Sequence, residues 1–162
     1  MSIVSDIEKL KKEKNAVILA HYYVDEDVQD VADYIGDSFY LSKVATKVSQ
    51  DRIIFAGVEF MGESAKILNP KKRVFMPDMN ADCPMAHMAD KDEILALREK
   101  YDDIAVVCYI NSTAELKKYS DVCVTSSNAV KIVKNLPNKN IFFIPDRNPV
   151  SYTHLRAHET LR

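Results

Sequence analysis

The sequence predicts an α/β protein built from repeated three-layer α/β/α units with small parallel sheets. Three observations carry that prediction. Short apolar runs, Val17–Ala20, Ile53–Ala56, Ile104–Cys108 and Ile141–Ile144, alternate with amphipathic segments, the pattern of a parallel sheet with helices on its faces. The chain also repeats itself: His21 and Tyr109, Tyr23 and Asn111, Ser38 and Ser126, and Ile53 and Ile141 are each 88 residues apart. An ungapped offset of that length suits a duplicated small α/β module and is too long for a solenoid repeat. Finally, the apolar runs of both units end on polar residues, His21 with Tyr23 and Tyr109 with Asn111. Strand side chains alternate, so the two members of each pair share one side of the backbone. The carboxyl end of a parallel strand is where open α/β sheets bind ligands.

The elements follow in order. Ile3, Ile7 and Leu10 among lysines and glutamates give an amphipathic helix over 3–13. The first strand covers Val17–Ala20. Asp25, Glu26 and Asp27 put negative charge at the start of a helix, where the dipole favours it. Val28, Val31, Ala32 and Ile35 are that helix's expected buried face, and Gly36 its stop. Asp37 or Ser38 caps the next helix, whose apolar positions are Leu41, Val44, Ala45 and Val48. The strand Ile53–Ala56 leads through Gly57 to a helix bearing Met61, Ala65, Ile67 and Leu68, stopped by Asn69-Pro70. Val74–Met76 is a short strand ended by Pro77, and 78–89 is a connecting loop. The second unit repeats the scheme. A charged helix runs from Asp90 to Tyr101 and a strand to Cys108. A helix starts at Ser112-Thr113, Val122–Val124 is a short strand, and a helix carries Ala129, Ile132 and Val133 before the strand Ile141–Ile144. The units are expected over 1–88 and 89–148. Residues 149–162 have no place in the repeat and read as a foreign tail. His154 and His158 in that tail have the i, i+4 spacing of a helical metal pair, a reading set aside with the tail.

Composition narrows the function classes. The 162 residues are 47% hydrophobic and 28% charged, with a net charge of −2. That balance leaves no basic footprint for nucleic acid. No apolar run approaches a membrane span, and the charged start Ser5-Asp6-Ile7-Glu8-Lys9 lacks a signal-peptide core, so a cytoplasmic protein is expected. Three cysteines argue for reduced thiols or a metal site over a disulfide framework.

Cys83 sits in the 78–89 loop, before Pro84 and four residues ahead of His87. It has three readings: a contribution to zinc, which needs further ligands; one corner of an iron–sulfur cluster held between units; or a partly buried free thiol. Cys108 and Cys123 lie within apolar strands and read as packing. Ser38 and Ser126 precede helices, either as caps or as part of an anion site built on helix-start amides. His21 is a satisfied core histidine or a ligand contact, and Tyr109 and Asn111 inherit the second reading through the repeat.

Ala20-His21-Tyr22-Tyr23, Gly36-Asp37-Ser38, Phe55-Ala56-Gly57-Val58-Glu59-Phe60-Met61, Cys83-Pro84-Met85-Ala86 and Tyr109-Ile110-Asn111-Ser112 together resemble quinolinate synthase. The resemblance runs from about Met1 to Asn148. It implies three similar α/β units around a pseudo-threefold axis, with one cysteine from each holding a [4Fe–4S] cluster. The implied activity is a transferase reaction of NAD biosynthesis: iminoaspartate, supplied by a separate enzyme, condenses with dihydroxyacetone phosphate to quinolinate. By the same resemblance Cys83 is a cluster ligand. His21, Tyr23, Ser38, Tyr109, Asn111 and Ser126 are substrate positions, and Tyr23 and Tyr109 are catalytic. The third unit, with two cluster cysteines and further catalytic groups, has no counterpart here, so the chain alone is expected to be inactive. Two other classes stay open: a small phosphate- or carboxylate-binding α/β domain without a cluster, and a partner-dependent structural fragment.

Overall fold

The computed structural model describes residues 2–145 and the backbone of 160–161. It divides into two compact units, Met1–Asp82 and Cys83–Arg162.

In the first unit, helix α1 (Ile3–Glu13) is capped by Ser2, whose side chain accepts the Ser5 N–H. Asn15, at φ 49°, turns the chain into strand β1 (Ala16–His21). Asparagine tolerates this left-handed conformation better than most residues. Helix α2 (Glu26–Asp30), strand β2 (Tyr34–Gly36), helix α3 (Ser38–Lys47), strand β3 (Arg52–Ala56), helix α4 (Glu59–Leu68) and strand β4 (Arg73–Phe75) follow. All strands are parallel in the order β2-β1-β3-β4. Val17, Leu19, Leu41, Ile53, Phe55 and Phe60 form its buried interior.

The second unit opens with a 3-10 helix over Pro84–His87 and helix α5 (Lys91–Lys100), capped by Asp90. Strand β5 (Ile104–Tyr109), helix α6 (Ala114–Lys118), strand β6 (Val122–Val124), helix α7 (Ala129–Asn135) and strands β7 (Asn140–Ile144) and β8 (Thr160–Leu161) complete it. The order β6-β5-β7-β8 repeats that of the first sheet. Both faces are covered. Ile94, Leu97, Leu116 and Tyr119 pack on one side of β5 and β7, and Ala129, Ile132 and Val133 on the other.

Over the first three strands of each sheet the duplication holds to the residue. Leu19 pairs with Tyr34 in the first sheet and Val107 with Val122 in the second; Ala16 pairs with Arg52 and Ile104 with Asn140. Every one of these positions is shifted by 88.

One expectation is corrected. The helix read from Asp25 to Ile35 is a five-residue helix followed by edge strand β2, where Ile35 is exposed. A three-residue edge strand has neighbours on one side only and leaves that side chain in solvent. Ile67 and Leu68 are exposed at the end of α4. Within the segment expected to lie outside the repeat, Thr160–Leu161 pairs in parallel with Ile141 and Phe142. Residues 146–159, including His154 and His158, lie outside the described residues.

Candidate functional site at the carboxyl ends of β1 and β5

The central strand of each unit is positioned by an aspartate clamp. Asp33 accepts the Ile18 N–H at 2.8 Å and returns its own N–H to the Ile18 carbonyl at 2.9 Å. Asp121 does the same with Val106, at 2.7 and 2.9 Å. A cation from the preceding helix closes each clamp. Lys11 donates to Asp33 at 3.0 Å and to the Val31 carbonyl at 3.1 Å. Arg98 donates to Asp121 at 2.8 Å and to the Tyr119 carbonyl at 3.0 Å. Burial opposes charge on Lys11, but hydrogen bonds to Glu8 and Asp33 outweigh it and raise its pKa.

In the first unit β1 delivers His21, buried, beside Gly36 of β2. Its Nδ1 accepts the Tyr23 N–H at 3.3 Å, which leaves the proton of the neutral ring on Nε2. Burial pushes the imidazole pKa down, and the Asp37 carboxylate pulls it partly back. Tyr23 is 92% exposed, its ring centroid 4.8 Å from that of His21. The polar pair therefore stands together, with one member buried and the other in solvent. Ser38 is the first residue of α3. The cap is Asp37, whose carboxylate accepts the Tyr40 N–H at 2.7 Å.

In the second unit β5 delivers Tyr109, half-buried, whose hydroxyl lies 2.8 Å from Ser126 Oγ. Ser126 belongs to a hydroxyl-rich turn and does not cap a helix. Asn128 Oδ1 accepts the Thr125 N–H at 2.8 Å, Thr125 and Ser127 share a hydroxyl bond of 2.8 Å, and α7 starts only at Ala129. Asn111 is half-buried in the turn after β5, next to Ser112, whose hydroxyl donates to the Tyr109 carbonyl at 2.8 Å. The structure thus brings Tyr109 to Ser126 and His21 to Tyr23.

Cys83 is half-buried and stands at the N-cap of the 3-10 helix, its carbonyl accepting the Ala86 N–H at 2.9 Å. Among the described residues no group of three or more His, Cys, Asp or Glu side chains is placed to hold a metal ion. Cys108 is buried as expected, whereas Cys123 is exposed, because β6 is a short edge strand. Among the described residues no helix is long and apolar enough to cross a membrane.

The profile of the family described as quinolinate synthetase A protein (NadA) matches residues 5–161. The chain belongs to the quinolinate synthase family. It is 67% identical over 146 residues to a quinolinate synthase of Fusobacterium nucleatum, covering 90% of this chain and 49% of the relative. It is 52% identical over 157 residues to that of Caldicellulosiruptor saccharolyticus, covering 97% and 52%. It is 55% identical over 152 residues to that of Clostridium perfringens, covering 94% and 50%. The chain therefore spans about half the length of the curated relatives it matches. Asp33, Asp121, Thr125 and Asn128 escaped the sequence reading. The 88-residue offset that aligns the two aspartates was the available signal for the clamps.

Proposed function

We infer that the chain is part of a cytoplasmic enzyme that condenses iminoaspartate, made by a separate enzyme, with dihydroxyacetone phosphate to give quinolinate for NAD biosynthesis. The observation that carries this reading is the Tyr109–Ser126 hydrogen bond at the carboxyl end of β5, in a chain of this family. His21, Tyr23, Ser38, Tyr109, Asn111 and Ser126 serve as substrate contacts. The substrates carry carboxylates and a phosphate, and hydroxyl and imidazole donors are the groups that hold such anions. Tyr109 and Tyr23 hold phenolic protons at strand ends, where imine formation and dehydration need proton transfer. The Nε2 proton of His21 is available for donation to a carboxylate.

The family reading calls for a [4Fe–4S] cluster, which takes several cysteine thiolates. Cys83 is a soft donor in a half-buried loop and suits one corner. Among the described residues no group of three or more such ligands forms, so the donor set does not fit a complete cluster, and no step is routed through one. The ligands that complete the set would belong to the part of the relatives that this chain does not span.

The test is anaerobic turnover of iminoaspartate and dihydroxyacetone phosphate by this chain and by a protein of its relatives' full length. The full-length protein should form quinolinate and the 162-residue chain none. In the full-length protein Cys83→Ser should abolish turnover and cluster absorbance together, and Tyr109→Phe should lower turnover by about tenfold or more. Comparable product from the short chain, or full activity of either variant, would overturn the assignment.

A further inference from the structure

Cys108 and Cys123 are direct partners in the register of β5 and β6. Neighbouring strands lie about 4.8 Å apart, inside the Cα separation of roughly 4.4–6.8 Å that a disulfide requires. The Cys108 thiol donates to the Tyr109 carbonyl at 3.4 Å, at the carboxyl end of the strand. Cys108 is buried, while Cys123 is exposed on the edge strand, so one sulfur of the pair is open to a reagent and the other is sheltered behind it.

The surroundings favour a thiolate. The neighbouring Cys123 draws the Cys108 thiol pKa down against the cost of burial, and the charge of Lys117 adds to it. The same proximity pushes Cys123 up, so Cys108 is the sulfur of the pair that gives up its proton first. The first unit is an internal control. At the repeat positions of Cys108, Cys123, Ser112, Lys117 and Ser120 it carries Ala20, Ile35, Val24, Gln29 and Ala32. The same strand pairing forms there without a sulfur, a hydroxyl or a cation at any of the five places. The frame does not need these residues, and they occur together only where two thiols meet.

We propose that Cys108 and Cys123 form a redox-active dithiol that a small-molecule disulfide converts reversibly to an intramolecular disulfide. Cys108, the thiolate of the pair, takes the Cys123 proton as the exposed Cys123 sulfur attacks the reagent disulfide and expels one thiolate, leaving a mixed disulfide. Cys108 then attacks the Cys123 sulfur and expels the second thiolate. The two cysteines are oxidised, the reagent disulfide is reduced to two thiols, and the two protein protons end on those thiols. An exposed disulfide of this kind is labile to reduction, which makes the step reversible.

The experiment treats this chain at neutral pH, without air, with oxidised glutathione, then alkylates free thiols and maps the peptides by mass. Cys108 and Cys123 should lose their alkylation together and appear cross-linked, and dithiothreitol should restore both. Cys83 should carry at most a glutathione adduct. In urea the three cysteines should instead scramble, so selectivity is the native readout. Cys123→Ile, which installs the residue of the first unit, should leave Cys108 alkylated after the same treatment. Separate glutathione adducts on Cys108 and Cys123, no reaction at either, a link to Cys83, or the same scrambled mixture with and without urea would overturn the proposal. The wild-type mapping decides even where Cys123→Ile fails to fold.

Discussion

The two units keep the same frame and fill its carboxyl end differently. Strand order coincides, and the register of the first three strands and the aspartate clamp do so at an offset of 88 residues. At the end of the central strand the first unit has a buried histidine, a glycine and a helix that starts at once. The second has a half-buried tyrosine, a valine and a four-residue hydroxyl turn before its helix. What is shared satisfies backbone groups and fills the core. What differs sets the side chains at the carboxyl end of the central strand. In a duplicated protein this division separates residues that hold the fold from residues that the fold leaves free to vary.

The largest test of that division is at the clamps. Asp33→Ala and Asp121→Ala each orphan a buried strand N–H, of Ile18 or Val106, and release a cation from its partner. The ion pairs are partly exposed and contribute little, so the cost comes mainly from the backbone hydrogen bond to a charged acceptor. Each variant should lose about 2–3 kcal/mol, measured by urea unfolding. Similar losses sharpen the comparison, and a negligible loss at either site breaks it.

Gly36 marks the next difference. A Cβ built there would stand 2.2 Å from the Tyr40 ring, whereas the second unit tolerates Val124 because α7 starts later. Gly36→Val should displace Tyr40 and cost about 1–2 kcal/mol. The reverse exchange, Val124→Gly, removes a buried side chain but should meet no clash. If Gly36→Val is as stable as wild type in thermal unfolding, the early helix start is not what requires the glycine.

Most of the fold was legible because apolar period and polar strand ends agreed. The failures have physical causes. Val28, Val31, Ala32 and Ile35 satisfy a helical period, so β2 was hidden within an apparent helix. The better guide was the offset that lays Tyr34–Gly36 under Val122–Val124. The matched serines suggested two caps, yet Ser38 is helical and Ser126 lies in a turn, since a cap depends on backbone angles that residue type does not fix. The clamps were invisible because each joins residues 15 apart through one carboxylate, which no hydropathy pattern registers.

A smaller effect follows from His21, which has no histidine counterpart in the second unit. The folded state disfavours its charged form, so its folded pKa lies below the value of about 6.5 in the unfolded chain. The unfolded chain therefore takes up the proton first as pH falls. Stability should decline as pH drops through about 6.5 and level off below the folded pKa. His21→Gln should flatten this slope, and Asp37→Asn should steepen it by removing the charge that partly supports the imidazolium. An unchanged slope in His21→Gln, from urea unfolding across that range, would assign the pH dependence elsewhere.

The smallest expected effect lies at the bond that distinguishes the second site. Tyr109 and Ser126 share a 2.8 Å hydrogen bond, and no side-chain bond joins His21 to Ser38. Ser126 is exposed and Tyr109 half-buried, so water can replace either partner. A double-mutant cycle of Tyr109→Phe and Ser126→Ala should give a coupling of about 0.5 kcal/mol, near the low end for a hydrogen bond. The His21→Gln and Ser38→Ala cycle should give none within error. A bond this weak adds little to stability, so its value at a strand end is to aim two hydroxyls at the same point. If the Tyr109–Ser126 coupling approaches that of a buried network, the pair belongs with the frame and the two units differ less than their side chains suggest.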